Sequence, residues 1–287
     1  MSPQDQTRPL AGRTILMSGG SRGIGLAIAV RAARDGANVA LLAKTDKPDP
    51  RLPGTVHTAV AEIQAAGGNG LAIVGDVRDE QDVVGAVEQT AATFGGIDIV
   101  VNNASAIALS PIGKLPLKRY DLMLDINARG TFALISAALP HLYKSDNPHV
   151  LTLSPPLNLD PYWLRAHAPY TISKYAMTML TLGLAGQEHP TPLAANCLWP
   201  RTTIATAAVQ NIVGGDAAMA VSRSPEIMAD AAHAILSRKA ADCTGQCHID
   251  DDVLRAEGVT DFSGYRYGDA TEADLKIDLF LPGGEDA

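Results

Sequence analysis

A tyrosine and a lysine stand four residues apart in a stretch whose composition favours a helix. Tyr170 and Lys174 begin and end the segment "YTISK", and residues four apart share one face of a helix. A free tyrosine has a pKa of about 10, so its phenol exchanges protons poorly at neutral pH. A neighbouring ammonium stabilises the phenolate and lowers that pKa, which suits the pair to acid–base chemistry. Tyr175 adjoins Lys174 and is therefore expected on another face.

A glycine-rich turn, "SGGSRGIG", follows the first apolar run and opens a helical one. Glycine permits the close approach of a pyrophosphate, and a helix N-terminus offers unpaired N–H groups. In this context the turn predicts a dinucleotide site, with a plain tight turn as the alternative. Six residues of the turn are assigned to that site: Gly19, Ser21, Arg22, Gly23, Ile24 and Gly25.

The end of the second apolar run bears on the choice between NADP and NAD. An NAD site usually places an acid about 20 residues after the glycines. Here Lys44 stands 19 residues after Gly25. A cation there, with Arg22 nearby, suits a 2′-phosphate, so we favour NADP over NAD. Two solvated basic side chains are the alternative, and an inward-turned Asp46 would favour NAD.

Short apolar runs alternate with longer helical patterns along the chain. The runs predict strands at 14–18, 38–43, 70–75, 97–102, 149–154 and 194–199. Helices are predicted at 24–35, 56–66, 79–93, 128–144 and 170–187. This alternation predicts a parallel sheet with helices on both faces.

The rest of the chain is assigned by composition. The Pro-rich segment 44–54 is expected to be a loop. We expect one domain over 1–287, with a core of about 10–250 and a tail of about 258–287 that either wraps in order or is partly mobile.

Composition excludes several classes of function. The 287 residues carry a net charge of −8, which disfavours nucleic acid as a partner. Three cysteines indicate a reducing compartment, and Cys243, Cys247 and His248 do not complete a metal site, so we expect no metal. Neither a leader peptide nor an apolar run of the roughly 20 residues that span a bilayer is evident. We therefore expect a cytoplasmic protein.

Together these motifs resemble the short-chain dehydrogenase/reductase family. The glycine turn, "NNAS" at 102–105, Asn127 in "INARG", a serine after the fifth strand and "YTISK" occur in the family's order over about residues 10–250. Two stretches, "LTLSPPLNLDPYWLRAHAPYTISKYAM" and "NCLWPRTTIATAA", are most like the hydroxysteroid dehydrogenase-like branch. Members of that branch carry a C-terminal sterol-carrier domain, which we do not expect in this chain. The resemblance implies a single Rossmann-type, doubly wound parallel sheet of about seven strands.

The resemblance also implies roles for individual residues. Tyr170 would be the general acid/base, and Lys174 would bind the nicotinamide ribose and tune Tyr170. Asn127 would anchor a water of the proton relay, with a structural amide as the alternative. The remaining cofactor contacts would come from Asp76, Val77, Asn103, Ala104 and Thr206. Asp76 has the alternative of a helix cap for residues 79 onward. The family further implies a homodimer or homotetramer.

Two positions depart from the family pattern. The expected Ser-Ser after the fifth strand is Ser154-Pro155, so either Ser154 binds the substrate carbonyl or no serine does. A strand-end hydroxyl is the alternative for Ser154. The expected Pro-Gly after the sixth strand is Pro200-Arg201. Arg201 would recognise an acidic or thioester substrate, or else be a solvated charge or a subunit contact.

The segment before Tyr170 is expected to hang over the site. Its Tyr162, Trp163 and Leu164 would supply apolar area, and Arg165 and His167 would supply charge, which fits a steroid-like or fatty-acyl carbonyl. Gly214-Gly215 would hinge a lid. The sequence therefore predicts an NADP-dependent oxidoreductase acting on a small-molecule carbonyl or alcohol. A cofactor-binding regulator or scaffold that has lost turnover is the alternative.

Overall fold

The structure, a computed structural model, describes residues 8–49 and 52–284. Residues 50 and 51 of the predicted loop 44–54 lie outside the described ranges, as do residues 1–7 and 285–287 at the ends of the predicted domain.

The described chain forms alternating strands and helices. The strands are β1 Thr14–Ser18, β2 Asn38–Ala43, β3 Asn69–Val74, β4 Ile99–Asn102, β5 His149–Thr152, β6 Ala194–Trp199 and β7 Cys247–Ile249. The helices are α1 Gly23–Ala33, α2 Val56–Ala65, α3 Glu80–Phe94, α4 Leu117–Met123, α5 Gly130–Leu142, α6 Pro161–Ala185, α7 Gly215–Ala220, α8 Glu226–Leu236 and α9 Asp250–Ala256. Two π-helical turns, Leu124–Arg129 and Val209–Val213, complete the main elements.

The seven strands form one parallel sheet in the order β3-β2-β1-β4-β5-β6-β7. The order reverses between β1 and β4, and ligands of such sheets bind at the carboxyl ends of the strands beside that reversal. One core packs α1, α2, α8 and α9 on one face, through residues such as Ile28, Ile63 and Ile227. The other packs α3, α5 and α6 on the opposite face, through Val83, Leu134 and Leu184. The predicted doubly wound fold is confirmed.

Local capping explains several helix boundaries. The Asp79 side chain accepts hydrogen bonds from the amides of Gln81 and Asp82, and α3 ends at Gly95 in the left-handed region. Thr55 and Thr58 form a capping box at the start of α2. The predicted boundaries of these two helices therefore lie within a residue or so of those observed.

Helix α6, which carries Tyr170 and Lys174, begins nine residues earlier than predicted, at Pro161 rather than Tyr170. Asp160 caps it by accepting a hydrogen bond from the Tyr162 amide at 2.8 Å, and proline is well suited to a first helical position. The two halves join across a kink at His167, two residues before Pro169. The prediction of a loop over the site was wrong here, because the cap and Pro161 start a helix.

The chain after residue 258 is ordered over its described length and returns to the carboxyl end of β6. The Thr203 amide donates to the Lys276 carbonyl, and the Asp278 amide donates to the Arg201 carbonyl, both at 2.9 Å. Phe280 is 1% exposed and packs among Trp163, Tyr170, Tyr175 and Trp199. Of the two predicted behaviours, the ordered wrap is the one observed.

One helical stretch of the described chain, Leu117–Leu142, is long and apolar enough to cross a bilayer. Core helices pass the same test, and its α5 portion packs against α3 and α6. Some apolar side chains of α5 and α6 are exposed, namely Phe132, Ile172 and Met179. The family-implied homodimer or homotetramer stays a prediction, which sedimentation velocity on the full chain would check.

Candidate active site

The glycine turn packs closely against the segment that follows β4. Gly19 has a φ of +75°, and a Cβ there would lie 2.8 Å from the Ala104 Cα. A Cβ on Gly25 would lie 2.5 Å from the Asn103 side-chain nitrogen. That nitrogen donates to the Gly19 carbonyl at 2.7 Å. Larger residues would therefore push the two segments apart, which is why the turn needs glycine at these positions.

A groove of about 570 Å³ runs along this turn at the carboxyl ends of the strands. It collects most of the sequence-predicted cofactor residues: Gly19, Ser21, Arg22, Gly23, Ile24, Lys44, Asp76, Val77, Asn103, Ala104 and Thr206. Gly25 lies behind the turn and does not line the groove. The N-cap residue Arg22 makes no side-chain hydrogen bond to the first turn of α1, and a helix N-terminus of this kind can offer its N–H groups to an anion such as a pyrophosphate. The residues present thus fit a dinucleotide.

Where β2 ends at the groove, Lys44 and Asp76 pair with each other. The Lys44 ammonium lies 3.1 Å from the Asp76 carboxylate, which Arg78 also binds. Burial alone would raise the pKa of Asp76, but the hydrogen bonds from Arg78 and then Lys44 outweigh it and lower the pKa to about 2. Asp76 therefore stays ionised at neutral pH. It does not cap α3, which Asp79 caps instead.

Arg22 and Asp46, the two other residues weighed for cofactor choice, are engaged with the chain. The Arg22 guanidinium donates to the carbonyls of Pro53 and Gly54 and to the Thr45 hydroxyl, and so holds the loop after β2 beside the groove. The Asp46 carboxylate lies 2.8 Å from the His57 ring. Asp46 does not turn into the groove.

Tyr170 and Lys174 line one cavity of about 270 Å³. Asn103 and Thr206 line both this cavity and the groove, so the two adjoin. The Lys174 ammonium donates to the Leu153 carbonyl at 2.7 Å and lies 5.3 Å from the centre of the Trp199 ring. Tyr175 faces elsewhere, as expected, since its hydroxyl bonds to the backbone of Asn158.

The ionisation of the pair differs from the sequence-based expectation. Burial, and after it the Asp278 carboxylate, raises the pKa of the Tyr170 phenol above its ordinary value. Burial also lowers the pKa of Lys174 to about 7, although the Asp278 carboxylate acts in the opposite direction. The predicted lowering of the tyrosine pKa is thus absent from this arrangement, because the cost of burying a phenolate dominates. Tyr170 is protonated at neutral pH and suited to donate a proton.

Asn127 joins the segment after β4 to α6. It lies in the first π-helical turn and is fully buried. Its amide accepts a hydrogen bond from the Ala106 amide at 2.7 Å and donates to the Ala106 carbonyl and the Ser173 hydroxyl, both at 2.9 Å. The side chain therefore has a structural role. The predicted relay water would have to bind the main chain of this π-helical turn and not the Asn127 side chain.

Ser154 is not brought to the cavity. It is fully buried, and among the described residues its hydroxyl has no hydrogen-bond partner of ordinary geometry. The chain turns at this place, because the Ser154 amide donates to the Thr152 carbonyl at 2.9 Å directly after β5. Ser154 acts on the nearby Cys197 thiol and does not line the cavity.

Two further expectations about the substrate side are corrected. Arg201 is held by Asp251 and Asp252 at the start of α9, each at 2.6 Å, and does not line the cavity. Its acidic neighbours explain this orientation. None of the five residues predicted to overhang the site lines the cavity either: Tyr162, Trp163, Leu164, Arg165 and His167. Trp163 and His167 are buried instead, where they pack beneath Tyr170 against Phe280.

The C-terminal segment contributes residues that the sequence-based reasoning missed. Lys276, Asp278 and Leu279 line the cavity with Tyr170 and Lys174. The stretch "LKIDLFL" places a single carboxylate within an apolar run, a signal that could have marked Asp278. Over residues 8–49 and 52–284, no group of three His, Cys, Asp or Glu residues could hold a metal ion.

The chain matches known proteins over most of its length. The family model described as short chain dehydrogenase matches residues 13–216. Hydroxysteroid dehydrogenase-like protein 2 of Danio rerio is 54% identical over 259 residues, which cover 90% of this chain and 62% of the relative. The chain thus spans about three fifths of that relative's length. A short chain dehydrogenase structure from Mycobacterium thermoresistibile superposes with a TM-score of 0.89 at 53% identity, covering 96% of this chain and 97% of the other. The NADH-dependent reductase A1-R′ complexed with NAD shares the fold, with a TM-score of 0.68, 24% identity and coverage of 84% and 96%.

Proposed function

The chain belongs to the short-chain dehydrogenase family, and from that premise we propose that it is an NADP-dependent oxidoreductase acting on a carbonyl or secondary alcohol. One observation carries the proposal. A groove beside the glycine turn adjoins the cavity that Tyr170 and Lys174 line and shares wall residues with it. Bound there, the nicotinamide would supply the hydride.

Tyr170 and Lys174 would have separate roles in the proposed reaction. In the reductive direction Tyr170, protonated at neutral pH, would donate its proton to the carbonyl oxygen as the carbon takes the hydride. Lys174 would hold the nicotinamide ribose with the ammonium that now donates to the Leu153 carbonyl. Enclosure of both groups excludes water from the reacting atoms.

The preference for NADP rests on the charges at the end of β2. Lys44 is more than half exposed and lines the groove, whereas Asp46 is bound to His57. The Asp76 carboxylate that pairs with Lys44 is also bound by Arg78, and the Lys44 ammonium beside it suits a 2′-phosphate. The NADH dependence of reductase A1-R′ is a property of that distant protein.

We expect NADPH to bind more tightly than NADH, and Lys44→Ala to remove most of the difference. Hydrogen bonds to charged groups contribute about 1.5–3 kcal/mol, so NADPH affinity should fall by roughly 10-fold or more while NADH affinity changes by less than about 2-fold. Titration of the protein fluorescence with each cofactor measures this. Lys47→Ala, an exposed lysine of the same loop that does not line the groove, is the matched control. Tighter binding of NADH would overturn the assignment.

The walls of the cavity favour a bulky apolar substrate. Most of its lining is apolar: Ile107, Leu109, Leu153, Trp199, Val209, Val213 and Leu279. Apolar walls with a few placed polar groups are typical of sites for apolar ligands. We therefore propose a steroid-like or fatty-acyl carbonyl. Val209 and Val213 belong to the π-helical turn before Gly214-Gly215, and the lid predicted there stays a proposal.

A turnover screen over steroid, acyl and small polar carbonyls tests the function and the substrate class together. Nicotinamide absorbance follows each reaction with NADPH. Highest kcat/KM on the apolar carbonyls is the expected result. Best turnover on small sugars would contradict the apolar site, and no turnover on any class would contradict the oxidoreductase.

The orientation of Ser154 favours a second candidate. Without that hydroxyl in the cavity, the chain would be a cofactor-binding regulator or scaffold of the same fold. The turnover screen separates the two, because a scaffold would turn over none of the carbonyls. A cytoplasmic location also stays a proposal, and fractionation of cells producing the full chain would check it.

A further inference from the structure

A carboxylate from the C-terminal segment shares the cavity with the catalytic pair. Asp278 is the one acidic side chain among the described residues that line this cavity. It is partly exposed, and the surface it retains opens into the cavity. The proposed reaction gives it no role so far.

The position of Asp278 is fixed by the backbone on both sides. Its amide donates to the Arg201 carbonyl at 2.9 Å, and the Trp199 indole donates to the Leu279 carbonyl at 3.0 Å. The Lys276 carbonyl accepts from the Thr203 amide at 2.9 Å. The segment is thereby joined to the residues after β6, so the carboxylate is held by the same scaffold as the cavity wall.

Lys174 needs a countercharge to remain an ammonium in this cavity. The side chain is 3% exposed, and its hydrogen bonds go to two uncharged acceptors, the Leu153 carbonyl and the Met177 sulfur. An isolated buried ammonium tends to lose its proton. Of the acids in the described chain, Asp278 is the one that acts on Lys174 and favours its charged form.

The stabilisation is mutual. Burial raises the pKa of Asp278 to about 7, opposed by a hydrogen bond from the Leu279 amide and by the ammonium groups of Lys174 and Lys276. Each member of the Lys174–Asp278 pair thus favours the charge of the other. The groups that face Asp278 are Tyr170 and Lys174 from α6 and Lys276 from its own segment, and the Cys197 thiol on β6 also acts on Lys174.

We propose that Asp278 is a positioning residue of the reaction, a carboxylate that shares the cavity with Lys174 and favours its ammonium form, so that the C-terminal segment completes the active site. This rests on the proposed function. Asp278 neither gives nor takes a proton in the hydride step. Without the carboxylate, Lys174 would be a neutral amine over more of the physiological range than in the wild type, and a neutral amine is a weaker donor to a ribose hydroxyl.

Asp278→Asn tests the proposal by moving the titration of Lys174. Loss of an opposite charge should lower the Lys174 pKa by about one unit or more, which is measured from the NMR signal of its ε-carbon, assigned with Lys174→Met. The alkaline limb of kcat/KM for carbonyl reduction should move to lower pH. The shift in the Tyr170 pKa acts in the same direction, because Asp278 raises that pKa. At one pH unit above the midpoint of the wild-type alkaline limb, this displacement alone should make kcat/KM of the variant roughly tenfold lower than that of the wild type. Any loss of rate that does not depend on pH would come in addition.

The controls separate this role from a merely structural one. Asp269→Asn makes the same change of charge at an exposed place on the same segment and should leave the Lys174 midpoint unchanged. Asp278→Glu keeps the negative charge and should bring the Lys174 midpoint part of the way back to its wild-type value. Asp278→Ala replaces Asp278→Asn if the latter does not fold. An unchanged Lys174 midpoint in folded Asp278→Asn would refute the proposal. Absence of turnover in the wild type would refute the proposed function alone, because the NMR titration needs no substrate.

Discussion

Tyr170→Phe should lower kcat/KM by roughly 100- to 10,000-fold, the range that a positioned acid or base contributes. The phenol lines the cavity that adjoins the groove, and burial keeps it protonated at neutral pH. Phenylalanine keeps the buried ring, which packs against Phe280 with 6.1 Å between ring centres. The fold and the cofactor affinity should therefore remain close to those of the wild type.

Steady-state rates on the best carbonyl of the screen, together with an NADPH titration, measure both halves of this expectation. Tyr175→Phe is the matched control, since that hydroxyl bonds to the backbone of Asn158 and faces away from the cavity. Its rate should stay within about 3-fold of the wild type, while losing a neutral hydrogen bond lowers stability by about 1 kcal/mol. An unchanged rate in Tyr170→Phe would contradict the role of Tyr170 as the proton donor.

Phe280→Ala should lower the free energy of unfolding by about 3–5 kcal/mol, the usual cost of removing a buried aromatic ring. Phe280 is 1% exposed, and the rings of Trp163, Tyr175 and Trp199 lie 5.3–6.0 Å from its centre. Alanine would leave a cavity at the point where the C-terminal segment crosses under α6. The same change should reduce kcat/KM, because Asp278 lies two residues earlier.

Equilibrium unfolding in urea gives the free energy directly. Tyr267→Ala, an aromatic residue of the same segment that is 54% exposed, serves as the comparison and should change stability by less than about 1 kcal/mol. A loss below about 1 kcal/mol in Phe280→Ala would mean that this segment does not form part of the core in solution.

Features encoded by local sequence were predicted well. The six predicted strands are nearly continuous apolar runs, because both faces of a parallel sheet are covered, and each strand was found within about two residues of its place. The glycine turn and the Tyr170–Lys174 pair also depend on short-range spacing alone. The cavity accordingly holds that pair at the end of the predicted groove.

Features that depend on distant contacts were missed. β7 is three residues long and pairs only with β6, and α9 starts directly after it, so neither carries a strong periodic signal. Asp278 reaches the cavity through backbone bonds to residues more than 70 positions earlier, so its apolar surroundings could mark it as unusual but could not show where it lies.

The bonds of the Asn127 amide have a consequence for binding. They fasten the Ala106 backbone to Ser173, the residue immediately before Lys174. The junction between the segment after β4 and α6 is thus already formed before any ligand binds. The conformational entropy that this junction loses is therefore lost during folding. Affinity for cofactor and substrate is consequently not diminished by having to order this junction.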